Sequence, residues 1–275
     1  MTFSMLNLLR TEWLKIKNYP GFWWIMGVTL LSYPGINGLF YFIYKEQTQN
    51  AKQAAQMIKF LIGDPFEMPE VFRTVAFTSS LFVFIPAILV IMLITNEYTY
   101  KTNRQNVIDG WSRNEFLIAK FFNVVTITAL VVGLYLAVTI TIGFITTPKT
   151  SAESWKMLNY AALFALQVFA QLSFAFLLGL IIKRAFIALG VFIFYKIVLE
   201  NILSGVLIKY AKDAGRFLPT ESSDRLTPIP AFLGKLDPDA YAKTLGLLNQ
   251  QAFITVGYLI IFWGLVFWVY KKRDL

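Results

Sequence analysis

The chain has no cysteine and no histidine. Without cysteine there is no disulfide framework, no thiolate metal site and no cysteine nucleophile. Without histidine the usual general base and the commonest metal ligand are gone. No Gly-x-x-x-x-Gly-Lys-Ser/Thr run occurs, so the chain does not itself cradle ATP in that manner. Gly-x-Ser-x-Gly and His-Glu-x-x-His are missing too. The expectation is a protein that is not an enzyme, with no catalytic residue, no metal site and no cofactor of its own. Charge is also scarce: 15% of residues are charged, against 57% hydrophobic and 17% aromatic. A soluble domain of this size has too little polar surface to cover that much apolar area.

What the chain does have is long apolar runs. They reach about 20 residues or more, the length that crosses about 30 Å of hydrocarbon as a helix. Short alternating segments of the outer-membrane barrel kind do not occur. The pattern predicts an all-α, polytopic membrane protein, one transmembrane domain over 1–275. Six spans are expected, near 20–44, 75–96, 121–147, 158–182, 185–208 and 252–270. The first run is long, and no small-residue cleavage site follows it, so it reads as a retained span. Pro34 and Pro86 fall inside the first two spans, where proline removes a helical hydrogen bond and kinks the helix.

Net charge is +9. In such a chain this reflects Lys and Arg at the membrane surface rather than nucleic-acid binding. The tight Lys183-Arg184 turn and the basic end at Lys271, Lys272 and Arg273 mark the cytoplasmic side. Both termini then lie in the cytoplasm, together with 1–19 and 97–120. Segment 1–19 mixes Leu8, Leu9, Trp13, Leu14 and Ile16 with Arg10, Glu12, Lys15 and Lys17, and Pro20 follows. It reads as an interfacial amphipathic helix. On the opposite side, 51–62 reads as a short surface helix ended by Gly63, Asp64 and Pro65. Segment 209–251 carries Pro219, Pro228, Pro230 and Pro238, so a small irregular cap is expected, with the apolar 229–236 dipping back into the interface.

Three groups of residues stand out. The first is 97–120, a polar, net-basic insert between the uncharged runs 75–96 and 121–148. Asp109-Gly110 reads as a turn, and Ser112 as the cap of a helix starting at Arg113 with Glu115 in its first turn. Two short interfacial helices bent around Gly110 would present a docking surface. The second group is Lys196 and Glu200, ionisable residues in the fifth span at i, i+4 spacing. They read either as a pair that neutralises itself and fixes packing or as part of a pathway or gate. The third is Gln167 and Gln171, on one face of the fourth span, suited to interhelical hydrogen bonds or to lining a path. Two pairs of small residues, Ala161/Ala165 and Ala175/Gly179, allow close helix approach or a dimer contact.

The segment Leu9 to Lys17, the loop residues Glu97, Thr102, Asn103, Arg104, Ser112, Arg113 and Lys120, and the end Lys271 to Leu275 resemble the integral membrane subunit of ABC-2 type transporters. These are bacterial permeases paired with a separate ATPase. The chain departs from the family's Gly-Thr-x-Arg loop form at one place, with Lys101 where glycine would stand. The resemblance implies a half-permease in the bacterial cytoplasmic membrane, dimerised with a second copy or a related chain. An ATP-binding subunit would dock beneath it, supplying ATP and Mg chemistry and driving transport, usually export. Carried over, Glu97, Thr102, Arg104, Ser112 and Arg113 become the ATPase-coupling surface. Two other readings stand beside this one. One is an ion- or proton-coupled carrier or channel using Lys196 and Glu200. The other is a permease-like sensor or immunity protein.

Overall fold

A computed structural model describes residues 5–49, 63–211 and 213–272. The described residues form helices and the turns between them, with no strand among them. The helix expected at 51–62 lies outside the described residues.

α1 (Met5–Lys17) buries Leu8, Glu12 and Ile16, an i, i+4, i+8 stripe, and leaves Arg10 and Lys17 exposed. Pro20 opens α2 (Pro20–Gln49), a position where proline's missing N–H is no loss. α3 (Val71–Ser80) and α4 (Phe84–Thr99) meet at a 49° bend and together make a candidate span, broken or re-entrant. The bend lies just before Pro86, whose ring cannot donate to the carbonyl one turn back at Phe82. Pro34, by contrast, stays inside the continuous α2.

A short α5 (Thr102–Ile108) precedes α6 (Arg113–Thr146). At 34 residues α6 is roughly 50 Å long, about 20 Å longer than the hydrocarbon is thick. A 3-10 turn (Ala152–Trp155) leads into α7 (Asn159–Ile182). The fifth span runs through α8 (Ala185–Phe194), a π-helical turn (Tyr195–Leu199) and α9 (Glu200–Tyr210). Then come a 3-10 turn (Ala214–Phe217), α10 (Pro219–Asp224), α11 (Ala231–Gly234), α12 (Pro238–Gly246) and the last span, α13 (Leu248–Lys272).

Five single runs are long and apolar enough to cross a membrane: Pro20–Thr48, Arg113–Thr146, Ala152–Ile182, Ala185–Leu207 and Leu248–Lys272. Counting the bent pair as one span gives six, so the chain is an all-helical multi-pass membrane protein with five or six candidate spans. α7 is its centre: 67% of its span is buried, against 17% for the first and fifth spans. α3, α4, α6, α8, α10 and α13 all pack on α7. Gly179 makes one of these contacts possible, since a Cβ there would lie 2.5 Å from Ile94 Cγ2 on α4. The Ala175/Gly179 pair is therefore used inside the chain, against its own second span.

Between α9 and α13 several polar residues are buried beside Leu226. Thr220, Ser222, Ser223 and Thr227 are all buried, whereas Ile229 and Leu236, at the ends of the apolar stretch, are exposed.

Candidate functional site

At one end of the bundle the chain turns twice on left-handed residues. Lys101 (φ 57°) separates α4 from α5, and Gly110 (φ 98°) follows α5. Ser112 then caps α6: its hydroxyl accepts from Glu115 N at 3.1 Å, and Glu115 Oε2 accepts from Ser112 N at 2.8 Å. The expected helix start is thus the observed one, but only the first of the two helices around Gly110 is short. The second is the head of the third span itself.

Beneath this turn lies a closed electrostatic network. Lys120 on α6 bridges Glu12 of α1 (2.6 Å) and Glu97 of α4. Lys15 reaches Glu12 at 3.0 Å, Glu97 at 3.6 Å and Asn106 Oδ1 on α5 at 3.2 Å. Asn123 donates to Glu12 Oε2 at 2.6 Å, and Thr102 donates to Glu97. Two carboxylates meet two ammonium groups, so the set is neutral. Glu12, Glu97 and Lys120 are buried. Burial alone would push the Glu12 carboxyl up, but the adjacent Lys120 and Lys15 override it and hold it down at about 2. Such a cluster binds four elements together, because removing any one charged member leaves the rest with a net buried charge.

The predicted surface residues therefore divide. Glu97 faces inward and Thr102 braces it. Ser112 caps α6. Arg113 is half-buried and donates to the Lys271 carbonyl at 2.6 Å, tying α6 to the end of α13. Arg104 is exposed, and Tyr100, Lys101, Gln105, Ile108 and Asp109 stand exposed around it. Asn103 and Asn106 occupy the inner face of α5.

A second polar cluster lies deep in the bundle. Lys196 and Glu200 do not pair with each other. The π turn between them has i→i+5 hydrogen bonding, which spoils the one-turn alignment that i, i+4 spacing gives in an α-helix. Lys196 instead donates to Gln171 and lies 3.5 Å from Asp224 Oδ1. Glu200 is buried and accepts from the backbone N–H groups of Thr220 (2.7 Å) and Glu221 (2.9 Å). It satisfies donors at the start of α10 that no carbonyl of that helix reaches. Gln167 and Gln171 both donate to Asp224 Oδ1, at 2.9 and 2.7 Å, and Thr227 donates to Gln167 at 2.9 Å. All four intramembrane candidates thus contact one polar segment, residues 220–227.

Sequence reasoning missed Glu12, Lys15 and Lys120 as a site, and Asp224 as the centre of the deep cluster. Glu12 left a signal, a lone carboxylate between Leu8 and Ile16 on one helix face. Asp224 left none, because its partners lie more than 25 residues away in sequence.

A family model described as ABC-2 family transporter protein matches residues 8–199. No curated protein matches the chain. The matched stretch contains all of the first network and ends before Glu200.

Proposed function

The chain belongs to the ABC-2 transporter family, and from that premise we propose that it is the permease subunit of an ATP-driven exporter in the bacterial cytoplasmic membrane. On this reading both termini are cytoplasmic, and a separate ATP-binding subunit docks on 97–120. Two copies, or this chain with a relative, enclose the path.

The observation that supports this most directly is the network of Glu12, Lys15, Glu97 and Lys120. It ties the exposed turn and α5 to α1, α4 and α6 through buried charges. A force applied at Arg104 and Ile108 is then transmitted to the second and third spans together, as a coupling element requires. ATP binding and Mg chemistry belong to the partner. Dimerisation is supported by the deep cluster: Asp224 and Lys196 keep 37% and 17% of their side chains exposed. Intramembrane charges face protein or a water-filled cavity rather than lipid, so this flank suits a path shared with a second permease chain.

The test is reconstitution. An ATP-binding protein is expected to co-purify with the chain, and cargo efflux from proteoliposomes is expected only with ATP and both proteins present. Gradient-driven ion or proton flux by the chain alone would contradict the proposal and favour a carrier using Lys196 and Glu200.

A further inference from the structure

Three donors converge on one oxygen. Gln167 Nε2, Gln171 Nε2 and Lys196 Nζ lie 2.9, 2.7 and 3.5 Å from Asp224 Oδ1. The donors belong to two spans. The acceptor belongs to the last residue of the six-residue helix α10, in the segment that joins the fifth and sixth spans. Gln167 and Gln171 are fully buried. Gln171 and Lys196 each stand 11 residues from the helix end nearest 97–120, about 17 Å at 1.5 Å per residue. The convergence point is therefore near mid-membrane. A carboxylate is recognised here by two amide N–H groups and an ammonium, the donor set that would bind the same group on a free molecule.

The site is not sealed. More than a third of the Asp224 side chain is exposed, and Ile197, Val198 and Ile202 are exposed on the same span as Lys196. The exposed flank of the span that carries Lys196 is thus apolar, which suits a hydrocarbon tail. Withdrawal of Asp224 leaves Lys196 without its carboxylate at mid-depth, so release of the 220–227 segment and arrival of another carboxylate are linked.

We propose that Gln167, Gln171 and Lys196 form a carboxylate-recognition site of the transport path, that Asp224 is its resident stand-in, and that the cargo is an amphiphile whose carboxylate displaces Asp224. The inference rests on the permease reading above and names the substrate class of that path. Glu200, by holding the start of α10, positions the stand-in.

Chemical rescue tests it on the full-length chain in lipid nanodiscs. Asp224→Ala is expected to lower the unfolding midpoint. Sodium acetate, compared with sodium chloride at equal ionic strength, is expected to restore it saturably. The restoration should be absent in Asp224→Ala/Lys196→Met, where both partners are removed. Equal effects of acetate and chloride, or rescue that survives in the double variant, would overturn the proposal. If Asp224→Ala does not fold, Asp224→Asn keeps the shape without the charge. Asp224→Asn is expected to bind dodecanoate about tenfold more tightly than the wild type, equivalent to about 1.4 kcal/mol, and to discriminate against dodecanamide. Equal binding of the acid and the amide would refute a carboxylate site. Neither assay contains an ATPase, so their failure would leave the docking assignment standing, and failure of docking would leave them intact.

Discussion

Lys120 shows how one side chain can unite three elements. It is buried between Glu12 and Glu97, and its loss leaves both carboxylates to Lys15 alone. Lys120→Met is expected to destabilise the protein by about 3–5 kcal/mol, the typical penalty for breaking a buried pair, measured by thermal or denaturant unfolding in nanodiscs. Glu12 gives a pH signature. Its carboxyl is held at about 2, below the ordinary 4.5, so it stabilises the fold above pH 4.5 and loses that contribution as pH falls toward 2. The wild type should lose on the order of 3 kcal/mol through that window, while Glu12→Gln should start lower and vary less. Lys101 is the third case. It occupies the left-handed region, which favours glycine. Lys101→Val should be less stable than Lys101→Gly by about 1–2 kcal/mol, which paired melting curves would reveal. At this scale the sequence was only partly legible. The unusual Lys101 and the Ser112 cap could be read from neighbours in the chain. The partnership of Glu12, Glu97 and Lys120 joins residues about 85 and 23 positions apart, and no local rule connects them.

Among the elements, the spans were the most legible feature, because a hydrocarbon slab imposes a minimum apolar length on each one. The bend before Pro86 was legible too, since proline acts on its own helix. What was not legible is how one element conditions another. Lys196 and Glu200 look paired at i, i+4, yet the π turn sends them to different partners in 220–227. The 219–227 run reads as part of an irregular outer cap, yet Thr220, Ser222, Ser223 and Thr227 are buried, with Gln167, Gln171 and Glu200 supplying hydrogen bonds to the segment. Gly179 offers an element-scale test. Gly179→Leu must push α7 from α4, where even a Cβ would meet Ile94. A loss of about 1–3 kcal/mol is expected from overpacking, while the same substitution at Gly190, which has open space, should be nearly neutral.

For the whole molecule, two polar clusters divide the work. One, near the exposed turn, fixes α1, α4, α5 and α6 to each other. The other, near mid-depth, fixes the 220–227 segment to the fourth and fifth spans. α7 packs against both α4 and α6 at the first and carries both glutamines of the second. A displacement of the exposed turn therefore has a packed route to the deep cluster. The central claim is that the exposed face of α5 is the handle. Its most direct test is binding and stimulation of the co-purified ATPase by an Arg104→Glu/Ile108→Glu variant. Both side chains are exposed and outside the buried network, so the variant should melt like the wild type. The account predicts at least a tenfold loss of ATPase affinity, about 1.4 kcal/mol, with matching loss of stimulated ATP turnover. Wild-type affinity and turnover in a correctly folded variant would contradict it.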